Sequence, residues 1–189
     1  MSKIFAISDI WFNRLLADKP NKTVVGEEEH VIDNIVDNND YIIQKWNETV
    51  SSEDKVYVLG GFGIGDLYPV AIRLKGEIHF LNNIFNDDEK KFFKEFKDCL
   101  KKSSDPNIKN KFFFEHNQIV VLNDMDAVLT YYPLAVWGGQ KSGTYCFHGL
   151  TDDMDIMNHN ITCVSSEWDC CPVNIEDVKN NILTFSSRF

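Results

Sequence analysis

The sequence predicts an α/β fold, on three observations. In the first half, an apolar run, a polar or glycine-rich loop and a helical segment follow one another three times, the pattern of strands whose loops gather at one end of a sheet. The segment 87–101 is helical by its apolar spacing. The second half carries short β segments between polar turns and closes on a helical pattern.

Taken in order, Lys3 to Ile7 is an apolar run stopped by Ser8-Asp9, hence a first strand, and 9–14 is the loop beyond it. Glu27-Glu28-Glu29 predicts the start of a helix reaching Val50, because acids suit the positive end of the helix dipole. Val31, Ile32, Ile35, Val36, Ile42, Ile43 and Trp46 recur along it at helical spacing, interrupted by the polar patch Asp37-Asn38-Asn39-Asp40. Lys55 to Leu59 is a second strand, followed by the loop Gly60-Gly61-Phe62-Gly63-Ile64-Gly65-Asp66 and a short helix over 67–74. Glu77 to Leu81 is a third strand. From Asp87 to Lys101, Phe92, Phe93, Phe96, Cys99 and Leu100 form one apolar face, with Lys91, Lys94, Lys97 and acids opposite. Segments 112–114, 118–122, 127–129, 145–147 and 161–164 are β-like, and 174–183 is a terminal helix. With no linker, repeat or low-complexity tract, 1–189 is expected to be a single domain.

The composition excludes several classes. Fourteen Phe, six Tyr and four Trp against five Pro, in 189 residues, are those of a globular protein rather than a disordered or fibrous one. Twenty-nine acids against nineteen bases give −10, and with no basic stripe visible no nucleic acid is expected as partner. No run approaches the ~20 apolar residues of a membrane span, and Ser8-Asp9 interrupts the first apolar run too early for a signal peptide. The five cysteines show no CxxC spacing, so reduced thiols and a cytoplasmic location are expected.

Five blocks carry a more specific likeness. Ile7-Ser8-Asp9, Leu59-Gly60-Gly61-Phe62-Gly63, Leu74-Lys75-Gly76, Leu129-Thr130-Tyr131-Tyr132-Pro133 and His148-Gly149-Leu150-Thr151-Asp152 resemble, in order and spacing, the calcineurin-like metallophosphoesterases. The small single-domain type of bacteria and their phages is the nearest form. The resemblance runs from Ile4 to about Val178 and implies a βαβ sandwich: two mixed β-sheets flanked by helices, with two metal ions at the strand C-termini. The family's metal blocks read Asp-x-His, Gly-Asp, Gly-Asn-His-Asp or Glu, a His before a Tyr-Pro pair, and Gly-His-x-His. Carried over by position, the chain keeps Asp9 but has Trp11 at the first His and Gly61 at the bridging Asp. Ile84-Phe85 falls at the Asn-His pair, Tyr131 at the next His, and Leu150 and Asp152 at the last two; His148, just before that block, remains.

A metal pair needs a shared carboxylate and close anionic or imidazole ligands, and Gly61 has no side chain to share. The resemblance therefore implies a degenerate member without cofactor, metal or catalytic residue. In place of the metals, Arg14 is expected either to neutralise Asp9, with Asp152 nearby, or to be solvated.

Weaker motifs stand beside this one. The glycine loop lacks the Lys-Ser/Thr of a phosphate-binding loop and does not fit GxGxxG. His148, His159, Cys170 and Cys171 match no zinc-finger spacing, and Cys146 and Cys163, placed beside His148 as candidate nucleophiles, sit inside strand-like runs. Trp11, Phe12, Tyr131, Tyr132 and Trp137 are expected to converge at one mouth, either plugging a dead cleft or forming a recognition surface, with Tyr132 and Trp137 as binding candidates. Asp9, Asp66, Asp152, Asp153 and Asp155 would rim it, favouring a protein partner with a basic surface. The function expected is that of a non-catalytic pseudo-phosphoesterase that binds such a partner, in the manner of a phage-encoded modulator of a host protein. The alternatives are a weakly metal-dependent phosphoesterase with an altered site and a protein that sequesters a small nucleotide.

Overall fold

The computed structural model describes residues 2–13, 22–25, 28–31, 35–82, 87–149 and 160–186. The strands are β1 (Ile4–Ile7), β2 (Lys22–Val25), β3 (Glu28–Val31), β4 (Lys55–Val58), β5 (Glu77–Phe80), β6 (Phe112–Phe114), β7 (Ile119–Leu122), β8 (Ala127–Thr130), β9 (Tyr145–His148), β10 (Asn160–Thr162) and β11 (Val173–Asn174). The helices are α1 (Ile35–Thr49), α2 (Tyr68–Ala71), α3 (Asp87–Lys102), α4 (Pro106–Lys109) and α5 (Ile175–Ser186). One sheet runs β11-β1-β4-β5-β6, parallel except for β11; the second runs β10-β9-β8-β7, with β7 antiparallel to its neighbour. The hairpin β2-β3 stands apart from both.

The first sheet has two apolar faces, and the alternation of side chains along its strands assigns each residue to one of them. Phe5, Ile7, Val56, Val58, Ile78, Phe80 and Phe112 face a core completed by α1 and α3 through Ile42, Trp46, Phe92, Phe96 and Leu100. Ala6, Tyr57, Leu59 and Leu81 point the other way, onto Ala127, Leu129, Tyr145, Phe147 and Ile161 of the second sheet. The molecule is thus two mixed sheets packed face to face, with helices flanking the first.

His79 brings a polar side chain onto the inner face. The His79 ring lies between those of Tyr57 (4.8 Å) and Phe113 (4.7 Å), and its nitrogens meet Glu115 at 2.6 Å and Glu77 at 2.7 Å. Both ring nitrogens are thereby hydrogen-bonded despite the burial.

The expected helix over 27–50 is corrected on two counts. Glu28–Val31 is a strand paired antiparallel with Lys22–Val25, and the helix starts at Ile35. The polar patch 37–40 does not interrupt it either. Asn39, buried, receives the Asn13 backbone N–H at 2.9 Å and donates to the Asn13 side chain at 2.7 Å, while Asp40 pairs with Arg73 at 2.7 Å. The polar residues are thus tied to neighbouring loops without breaking the helical turn.

Candidate functional site

Four strand ends meet at one point. The β1–β4 ladder continues past both strands: Leu59 N donates to Ile7 O, Asp9 N to Gly60 O, Trp11 N to Gly61 O and Phe12 N to Phe62 O, each at 2.9–3.0 Å. This zipper holds Asp9, Trp11 and Asn13 in the left-handed region, at φ of 50°, 54° and 60°, a conformation that costs a bulky residue such as Trp11 roughly 1–2 kcal/mol. Asn13 anchors the far end by donating to the Ile64 and Asp66 carbonyls at 2.9 and 3.1 Å.

The second sheet is stitched to this loop by two serines. Ser8, fully buried, donates its N–H to Cys163 O and its hydroxyl to Gly149 O; Ser165 donates its N–H to Ser8 O and its hydroxyl to Asp9 O at 2.7 Å. Gly149 N donates to Tyr131 O at 2.9 Å. A Cβ on Gly149 would stand 2.8 Å from both Ser8 Cβ and Tyr131 Cδ2. The ends of β1, β4, β8 and β9, which carry Asp9, Gly61, Tyr131 and Gly149, are thus drawn together as the sequence order implies.

Among the described residues, the carboxylate at the junction is that of Asp9. Gly61 has φ +63°, and a Cβ built there would lie 2.2 Å from Asp9 Oδ1 and 2.7 Å from Asp9 Cα. Asp9 therefore fills the space a side chain at 61 would need. The Tyr131 hydroxyl lies 3.4 Å from the same oxygen, a long hydrogen bond. Gly61 itself has neither a side chain nor room for one, and Trp11 offers no metal-binding atom. Among the described residues, no three His, Cys, Asp or Glu side chains come together where they could hold an ion.

The remaining sequence expectations divide. His148 ends β9, fully buried, on the face away from the inter-sheet core, since Tyr145 and Phe147 take that core and Cys146 the opposite side. The expected five-aromatic mouth is corrected. Phe12 is buried in the helix-side core, 5.2 Å from the Phe62 ring. Trp137 belongs to a small cluster with Val128 and Cys146 on the outer face of the second sheet, its indole donating to Thr144 O at 2.8 Å. Trp137 is therefore a packing residue. Trp11 and Tyr131 are half-buried, and Tyr132, edge-on to Tyr131 at 5.0 Å, is exposed. Arg14, Phe85, Leu150, Asp152, Asp153, Asp155 and His159 lie outside the described residues, and with them the Asp9–Arg14 pair.

The Cys146 and Cys163 thiols and the glycine loop from Gly60 to Gly63 lie inside the fold. Burial pushes the Cys146 thiol up to about 11, and the Cys163 thiol higher still, so both stay protonated and non-nucleophilic near neutrality. Cys170 packs against the helix-side core, and the Cys171 thiol donates to Asp169 O at 3.6 Å. Gly60 to Gly63 are buried, the carbonyls of residues 60–62 accepting from the loop after β1; they line no open phosphate cradle. Sequence reasoning gave no role to Ser8, Ser165 or Asn13. Isolated small polar residues in loops carry no periodic signal, and only the abrupt end of an apolar run at Ser8 marked the place.

The class this architecture defines is an α/β protein of two mixed sheets flanked by helices. No family model and no curated protein matches the chain. Among solved structures it is similar to the crystal structure of AQ665 from Aquifex aeolicus, a protein of unknown function, with a TM-score of 0.58 and 14% identity over 95% of this chain and 99% of that one. At that identity the likeness shows the shared fold alone. Among the described residues no helix is long and apolar enough to cross a membrane.

Proposed function

We propose that the chain is a catalytically degenerate relative of the calcineurin-like metallophosphoesterases that acts by binding a protein partner. The observation that carries this reading is the collision at Gly61. Asp9, Gly61, Tyr131 and Gly149 lie together, and Gly61, which falls at the bridging ligand in the resemblance, is a left-handed glycine whose Cβ direction ends 2.2 Å from Asp9 Oδ1. A phosphoester hydrolase of this type would need that ligand to hold two cations against the attacking and leaving oxygens. Among the described residues, Asp9 and Tyr131 supply too few oxygens to hold a cation firmly. Sequestration of a nucleotide is disfavoured because the glycine segment is buried and its backbone N–H groups line no open cradle for a phosphate.

Hydrolysis of bis(p-nitrophenyl) phosphate with manganese or nickel added tests the proposal. No rate above the protein-free control is expected. Metal-stimulated turnover lost on Asp9→Asn would overturn it.

A further inference from the structure

Charge is sorted over this chain. Residues 90–111 hold eight lysines against Glu95, Asp98 and Asp105, a local +5 that leaves −15 for the rest of a chain of −10. The helix α3 sorts them further. With 3.6 residues per turn, Lys90, Lys94, Lys97 and Lys101 fall within about 60° of one another and run about 16 Å along the axis. No acid between Lys90 and Lys101 shares that stripe: Asp98 lies on its flank, 3.2 Å from Lys101 Nζ. All four lysines are exposed, and Lys97 Nζ stands 4.4 Å from the centre of the Phe114 ring. Phe92, Phe96 and Leu100 on the opposite face are buried in the core, so packing keeps the stripe turned outward. A basic stripe that the net charge does not reveal is thus present on one helix.

We propose that this stripe is the docking surface for an acidic segment of a partner protein, with carboxylates at three- and four-residue steps along a helix of its own. Charge complementarity carries the inference, and three features favour carboxylates over nucleic acid. The stripe is all lysine, without the arginine that suits bidentate phosphate contacts. It is about 16 Å long, so an extended nucleic acid would run off it onto the strongly negative remainder. At physiological salt the Debye length is about 8 Å, which lets a short acidic segment feel the lysines while the distant acids are screened. Lysines repeating at i, i+4, i+7 and i+11 match an acidic helix with the same period. The inference does not depend on the state of the Asp9 site.

Fluorescein-labelled polyglutamate, titrated with the full chain at low and at physiological salt, tests it by anisotropy. The combined variant Lys90→Gln, Lys94→Gln, Lys97→Gln, Lys101→Gln alters only exposed side chains, and its thermal unfolding verifies that it folds. Salt-sensitive binding is expected, weakened about tenfold or more in this variant and unchanged in Lys141→Gln, an exposed lysine elsewhere. Absence of binding at low salt, equal loss in Lys141→Gln, or tighter binding of duplex DNA or of phosphatidylserine vesicles than of polyglutamate would overturn the proposal.

Discussion

Gly61 and Asp9 meet so closely that each determines what the other can be. Gly61→Ala adds a Cβ 2.2 Å from the Asp9 carboxylate and 2.7 Å from Asp9 Cα at a φ of +63°. Left-handed strain and overpacking together should cost about 2–4 kcal/mol in urea unfolding. Asp9→Gly in the same background removes the carboxylate and recovers part of that loss, because the contact with the backbone at residue 9 remains; full additivity would show that the carboxylate is not the obstacle. The buried thiols make a pH prediction. Cys146 is raised from 9.0 to about 11 by burial, and burial raises Cys163 also. Above pH about 9 the unfolded chain therefore releases protons that the folded chain keeps, so stability falls as pH rises from 9 towards 11. Cys146→Ala with Cys163→Ala should flatten that alkaline limb in chemical denaturation.

At the scale of elements, legibility followed the strength of the apolar signal. The runs Ile4–Ile7, Lys55–Val58 and Glu77–Phe80 and the face of α3 were readable because burial on both sides of a sheet gives a short apolar run and burial on one side of a helix a period of 3.6. The hairpin β2-β3 was not. Glu27 to Glu29 imitates a helix start, and the dipole argument for acids at an N-terminus competes there with pairing to Lys22–Val25, which a local reading cannot see. Asn39 misled in the opposite direction. In α1 it looks like a helix breaker, yet its side chain exchanges two hydrogen bonds with Asn13, 26 residues away. Asn39→Leu leaves the Asn13 groups without those partners, and should destabilise the protein by about 1–3 kcal/mol and speed hydrogen exchange in the loop after β1. A variant as stable as the parent would mean that water satisfies Asn13 equally well.

Over the whole molecule, the order of the blocks was readable but their contents were only partly so. Asp9, Gly61, Tyr131 and Gly149 lie where the chain order places them, at the ends of four strands. Sequence could not show that the Asp9 carboxylate leans over Gly61, that Ser8 and Ser165 hold the two sheets together there, or that Phe12 and Trp137 belong to opposite layers. Net charge misled for the same reason: a sum over the chain says nothing about a helix face, and one stripe of α3 is basic on an acidic protein. The claim on which the functional reading rests is that this junction does not hold a metal pair. Elemental analysis of protein purified without chelator and equilibrated with manganese, zinc, nickel or iron measures it directly. Less than one equivalent of divalent metal per chain is expected, unchanged in Asp9→Asn. Two tightly held equivalents, both lost in Asp9→Asn, would contradict it.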